Sequence, residues 1–206
     1  MATKMSGESA SLHTLHLIEE QLQVLPISIA TILQASEVGA VESELLDNLL
    51  LKRKPHPNKT GSGGNIVADE AQPTEDIDFR ESSQYLRDHP LEKMDYVRVV
   101  VSNALLAVGT YMREHDMAAM RTPEIQFLFH LINAINNNNS FKVNEGYIPM
   151  ATFDGLVIDS RLNGTPVFAK GEQEGFLEIG DAVALLQWLS RYLRGEKKFV
   201  SGGDAG

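Results

Sequence analysis

The chain has 206 residues, a net charge of −10 and no cysteine. That length sustains one domain, or one with a small appendage, and a core that needs no covalent staples. Without cysteine there is no disulfide framework, thiol nucleophile or thiolate zinc site, as fits a reducing compartment. The acidic balance weighs against broad nucleic-acid binding through the phosphate backbone, while leaving room for a local basic patch. Hydrophobic residues at 43% and charged residues at 22% exclude wholesale disorder and fibrous repeats.

The first residues are polar and lack the apolar core of a signal segment. The most apolar stretch, 97–112, is interrupted by Arg98, Ser102 and Asn103 and is too short to span a bilayer. A cytoplasmic protein with no membrane contact is expected. From Ser11, Leu12, Leu15, Ile18, Leu22 and Leu25 recur at helical steps. Pro26 ends that helix or opens the next, and Ile27, Ile29, Ile32 and Leu33 continue to about Ala35. After a break at 36–39, a third helix is predicted over 41–52, carrying Leu45, Leu46, Leu49 and Leu50. Pro, Gly and Ser then dominate, so 54–76 reads as an exposed linker or loop. Its glycines at 61, 63 and 64 match neither nucleotide-binding fingerprint, and no strand leads into them.

A short helix follows over 79–88, stopped by His89-Pro90. The longest helix is predicted over 91–116, with Met94, Val97, Val101, Leu105, Val108 and Met112 along it. Val99, Val100 and Leu106 make it apolar on more than one face, which suits a central helix or one shared between a core and a dimer interface. Thr122-Pro123-Glu124 has the chemistry of a helix start: a capping hydroxyl, a first-turn proline and an acid at the positive end. Ile125, Leu128, Leu131, Ile132 and Ile135 form its apolar stripe, and the asparagines at 136–139 stop it. Leu156-Val157-Ile158 and Val167-Phe168 flank Asn163-Gly164, a type I′ hairpin signal, with Pro166 pointing to an edge strand. Gly180-Asp181 opens a last helix over 182–194, with Leu186, Trp188 and Leu189 on its apolar face and Gly195 as its stop. The expected fold is mainly α, a helical bundle with one small β-hairpin between the last two helices. It divides into a helical segment at 9–53, a linker at 54–76, a core at 77–196 with its hairpin at about 155–169, and a tail at 197–206.

Pro123-Glu-Ile-Gln-Phe-Leu-Phe-His-Leu-Ile-Asn-Ala-Ile-Asn-Asn-Asn-Asn-Ser-Phe141 resembles the signature helix of HEPN-domain proteins. The pattern downstream is similar too: Gly155-Leu-Val-Ile158, Leu162-Asn-Gly-Thr-Pro-Val-Phe168, then the capped helix from Gly180-Asp181. The resemblance covers about a third of the chain. It implies an all-α bundle of the kind found in toxin–antitoxin, abortive-infection and CRISPR-associated systems, often dimeric across this helix. Active members of that family carry an Arg, four to six variable residues and then a His, which together form a metal-independent ribonuclease site. The resemblance places the Arg at Ile132 and the His at Asn137, with Asn133 and Ala134 keeping the middle of the pattern. Isoleucine cannot neutralise phosphate charge, and asparagine does not titrate near neutral pH. The resemblance therefore implies a disarmed member: a binding or regulatory module that forms a homodimer and contacts a protein or RNA.

Other residues keep two readings each. His130 is either a substitute acid–base group, working with Arg121 or Asn133 in a displaced endoribonuclease site, or a helix-surface histidine. Asn136, Asn138 and Asn139 are either a helix stop or amides offered to a partner. Arg191 and Arg194, continued by Lys197 and Lys198, either satisfy the helix dipole or touch RNA phosphate, as do Lys52-Arg53-Lys54. His115, beside Arg113, Glu114 and Asp116, reads as a charged helix end. His13 and His16 share a helix face, and no second ligand pair accompanies them. No metal and no cofactor is predicted. A third possibility is an assembly protein whose helices over 11–52 bind a partner.

Overall fold

Apolar residues at three- and four-residue steps build the helices, and short polar turns join them. In the computed structural model, residues 7–35, 48–52, 74–90, 92–117, 122–143 and 150–196 are described. Over these residues the protein is mainly helical, with a small antiparallel hairpin between its last two helices. The chain divides into two units, one made of residues 1–30 with 94–206 and the other of 31–93.

Helix α1 (Gly7–Ala35) runs unbroken through Pro26, where the sequence predicts a stop or a restart. A proline inside a helix removes one ladder hydrogen bond and crowds the carbonyl four residues back. Here its ring is exposed, while Ile18 and Leu25 on the preceding turns are buried in the core. Burial of such side chains, about 1.5–3 kcal/mol each, holds the helix on line despite the lost bond. With 29 residues α1 is longer than α3 (Lys93–Glu114), which has 22 and which the sequence predicts as the longest.

The larger unit is centred on α3 and α4 (Pro123–Asn136). Val101, Leu105, Val108 and Met112 of α3 share one buried cluster with Leu128, Leu131 and Ile132 of α4. The two helices touch where α3 has no side chain: a Cβ on Gly109 would lie 2.7 Å from Ile132 Cγ2. Thr122 caps α4 by accepting a hydrogen bond from the Ile125 N–H at 3.4 Å, with Pro123 in the first turn. Thr14 of α1 is buried, and its hydroxyl donates to the Ala10 carbonyl (2.8 Å) and meets Met117 Sδ at 3.1 Å.

The hairpin pairs β3 (Thr152–Phe153) with β4 (Leu156–Val157). Its turn is Asp154-Gly155, with φ of +46° and +82°, the pattern of a type I′ turn. The sequence predicts that turn at Asn163-Gly164 instead. There Asn163 has φ −57° and ψ 121° and Gly164 has φ +84°, a type II turn closed by Thr165 N–H on the Leu162 carbonyl at 2.8 Å. Both dipeptides suit a type I′ turn by residue type, and only the surrounding packing selects which one folds the strands back. Pro166 forms an isolated bridge with Ser140 rather than lying on an edge strand, and Phe168 bridges Leu177. Phe127 of α4 stands 5.9 Å from Phe153 and 6.0 Å from Phe176, tying hairpin and following segment to the helix. Helix α5 (Ile179–Leu193) begins slightly before the predicted start, with the Glu178 N–H donating to Asp181 Oδ2 at 2.9 Å. Gly195 ends it at φ +73°, as expected.

In the smaller unit the predicted helix over 41–52 is a strand across its last five residues. Strand β1 (Asn48–Lys52) runs antiparallel to β2 (Thr74–Asp78), with Asn48 opposite Asp78 and Lys52 opposite Thr74. A run of three leucines fits a strand as well as a helix, so periodicity alone does not decide it. Pairing with 74–78 does, and it also removes the end of the predicted 54–76 linker. The rest of that linker and residues 41–47 lie outside the described residues. Helix α2 (Phe79–Asp88) follows β2 directly and matches its predicted bounds. His89 follows its last residue, and the His89 ring stacks on Tyr85 at 4.1 Å.

Candidate functional site

The residues singled out by the signature helix fall on opposite sides of α4. Positions 132 and 137 are five residues apart, about 140° around a helix of 3.6 residues per turn. Ile132 points inward and is fully buried against Gly109. Asn133 and Asn137 are exposed. Asn137 is the C-cap of α4 and its side-chain Nδ2 donates to the Ser140 carbonyl at 2.9 Å. The structure thus does not bring the two motif positions together on one accessible surface.

The asparagine run works mainly as a helix stop. Asn138 and Asn139 hold φ of +56° and +61°, in the left-handed region that asparagine tolerates. Asn139 then behaves as a side-chain strand. Its Nδ2 donates to the Phe168 carbonyl (2.8 Å), and its Oδ1 accepts from the Phe168 N–H (3.1 Å). Its backbone carbonyl accepts from Val167 N–H at 2.8 Å. That amide is committed to holding the segment after β4, whereas Asn136 and Asn138 are exposed.

An open groove of about 360 Å³ lies where α3, the end of α4 and residues 168–170 meet. Val99, Leu106, Ile135 and Phe168 give it an apolar floor. Asn103, Asn138 and Lys170 stand on its rim, beside an Arg98–Asp95 ion pair. Residues 168–170 approach this closely because Gly175 lies beneath them. A Cβ there would fall 2.3 Å from the Ala169 backbone nitrogen.

The exposed side of α4 carries His130, Asn133 and Asn137 at successive turns. The sequence places Arg113 only in a charged helix end, whereas the structure sets it against Asn133. Arg113, from the last turn of α3, donates through Nη2 to Asn133 Oδ1 at 2.9 Å and to the Phe129 carbonyl at 3.4 Å. Its guanidinium carbon lies 5.4 Å from the centre of the Phe129 ring. The only sequence signal was the helical pairing itself. Once Gly109 meets Ile132, the next turn of α3 must meet the adjacent turn of α4. His130 is half-buried, and that burial lowers its pKa below the ordinary 6.5.

The remaining predicted groups are scattered. Arg194 is ion-paired with Glu19 of α1, with Nε at 3.1 Å from Oε1, so its charge ties the first helix to the last. Arg191 is exposed and donates to the Gln187 carbonyl at 3.4 Å. His16 meets Glu20 at 3.2 Å, and His13 Nδ1 lies 2.8 Å from the Ser9 carbonyl. His115 stacks on Tyr111 at 4.0 Å at the end of α3. Among the described residues no group of three or more His, Asp or Glu is placed to hold a metal ion, and no helix is long and apolar enough to cross a membrane. Arg121, Arg53, Lys54, Lys197 and Lys198 lie outside the described residues. No protein-family profile, curated protein or solved structure matches the chain.

Proposed function

We propose that the chain is a non-catalytic HEPN-like binding or regulatory module of a prokaryotic conflict or stress system, and that its partner is a protein. The observation that carries this reading is the burial of Ile132. The position assigned to phosphate neutralisation holds an apolar side chain inside the core, 0% exposed. The position assigned to proton transfer holds an amide bonded to backbone. Neither group can neutralise a phosphorane or move a proton near neutral pH.

A protein partner is favoured over RNA by the charge of −10 and by the internal pairing of Arg194. The first such partner is a second copy. The outer side of α3 presents Val99, 56% exposed, next to the partly buried Leu106, on the groove described above. The test has two readings on the full chain. A pool of structured and single-stranded RNA, incubated in EDTA, is expected to remain intact. Sedimentation equilibrium is expected to show a dimer that Val99→Glu shifts to monomer. Cleavage that disappears in His130→Ala overturns the non-catalytic reading and makes the protein an endoribonuclease with displaced groups.

A further inference from the structure

Arg113 is a cation at the surface of an acidic chain. Among the described residues it forms no ion pair, although it is exposed and fixed by contacts to Asn133 and Phe129. An unpaired surface arginine normally samples many rotamers and loses that freedom when it is held. Here the Nη2 bonds and the ring of Phe129 hold the guanidinium in one place, so Nε and Nη1 remain as oriented donors. The same bond fixes the Asn133 amide. With Oδ1 accepting from Arg113, the Nδ2 donors are turned away from it, and they bond to no described residue. His130 lies one turn earlier on that face and makes no hydrogen bond among the described residues.

We propose that Arg113, Asn133 and His130 form an oxyanion-binding site that takes a phosphate or carboxylate group. The cluster offers a cation, an amide and an imidazole, with its Asn133 acceptor already used. That is the donor set of oxyanion recognition, in which charge-assisted bonds are the strong ones. The proposal goes beyond the binding-module reading, because it specifies a chemical group at α4 and leaves the groove on α3 aside. No bond is made or broken at the site.

The full chain is titrated with inorganic phosphate and, separately, with sodium acetate at constant ionic strength. Side-chain NMR signals of Arg113 Nε–H, Asn133 Nδ2 and the His130 ring are followed. Saturable, coincident shifts of all three are expected, with binding weakened about tenfold or more in Arg113→Gln, the loss of one charge-assisted contact. Asn133→Asp is the second variant. It keeps a partner for Arg113 and places a negative charge in the site, so phosphate binding should vanish while the melting temperature holds. Saturation by phosphate alone identifies a phosphoryl ligand, and saturation by both extends the site to carboxylates. Linear, unsaturated shifts, or equal affinity in Asn133→Asp, overturn the proposal. Because the probes are small anions, that failure leaves the module reading to its own test.

Discussion

His130 makes a pH prediction that follows from its burial alone. Its folded pKa lies below the ordinary 6.5 because burial disfavours the imidazolium. Above that value both folded and unfolded chains hold it neutral, and it contributes no pH dependence. Below it, the unfolded chain takes up a proton that the folded site resists, so stability falls as pH drops through 6.5 toward the lowered folded value. The urea midpoint should therefore decline in that window, and His130→Gln should flatten the decline. An unchanged slope in the variant would mean that the ring is solvated in the folded state. At the same scale, Asn139 shows how a residue type can be read correctly and its use misread. The sequence shows an amide suited to a turn, and the structure spends both amide atoms on Phe168.

Among the elements, the α3–α4 contact governs what α4 can display. Gly109 and Ile132 fit each other at the closest point of the two helices. Gly109→Ala gains helix propensity of about 1 kcal/mol but drives a methyl into Ile132, and overpacking costs about 1–3 kcal/mol. The net expectation is a loss of about 1 kcal/mol. Ile132→Ala alone should cost about 2–5 kcal/mol through the cavity it leaves. The double variant should be more stable than the two losses summed, because the new methyl occupies part of that cavity. Chemical denaturation of the four chains measures this coupling, and strict additivity would place the two residues out of contact. The same packing leaves no room for an Arg at 132. A guanidinium there would enter the core without a partner, at a cost above about 4 kcal/mol.

For the larger unit as a whole, the part of α1 up to Ala30 is held by burial and by one ion pair. Ile18 and Leu25 belong to the same buried cluster as Val101 and Leu186. The Glu19–Arg194 pair is partly exposed, and such pairs contribute little. Ile18→Ala should therefore destabilise the chain by about 2–5 kcal/mol, and Arg194→Ala by much less, because solvent screens its ion pair. Thermal melts of the two variants decide this. If Arg194→Ala proved the costlier change, charge rather than burial would hold the first helix. The result also bears on the reading in which residues 11–52 act as an independent partner-binding arm, since Ile18 is fully buried.

The sequence by itself determined the elements whose signals are local. The cap at Thr122, the stop at the asparagine run, the bounds of α2 and the glycine after α5 all follow from side chains acting within a turn or two. It also established the mainly α character, because apolar residues at helical steps need no distant partner to be recognised. Tertiary structure decided the rest, wherever one local pattern allows two outcomes. The leucines of β1 became a strand because 74–78 pairs with them, Pro26 stayed inside a helix because Leu25 and Ile18 are buried, and the hairpin turned at Asp154-Gly155 because packing selected it. The candidate site belongs to this second class. Arg113 and Asn133 are 20 residues apart in sequence and meet only because Gly109 lets two helices close on each other.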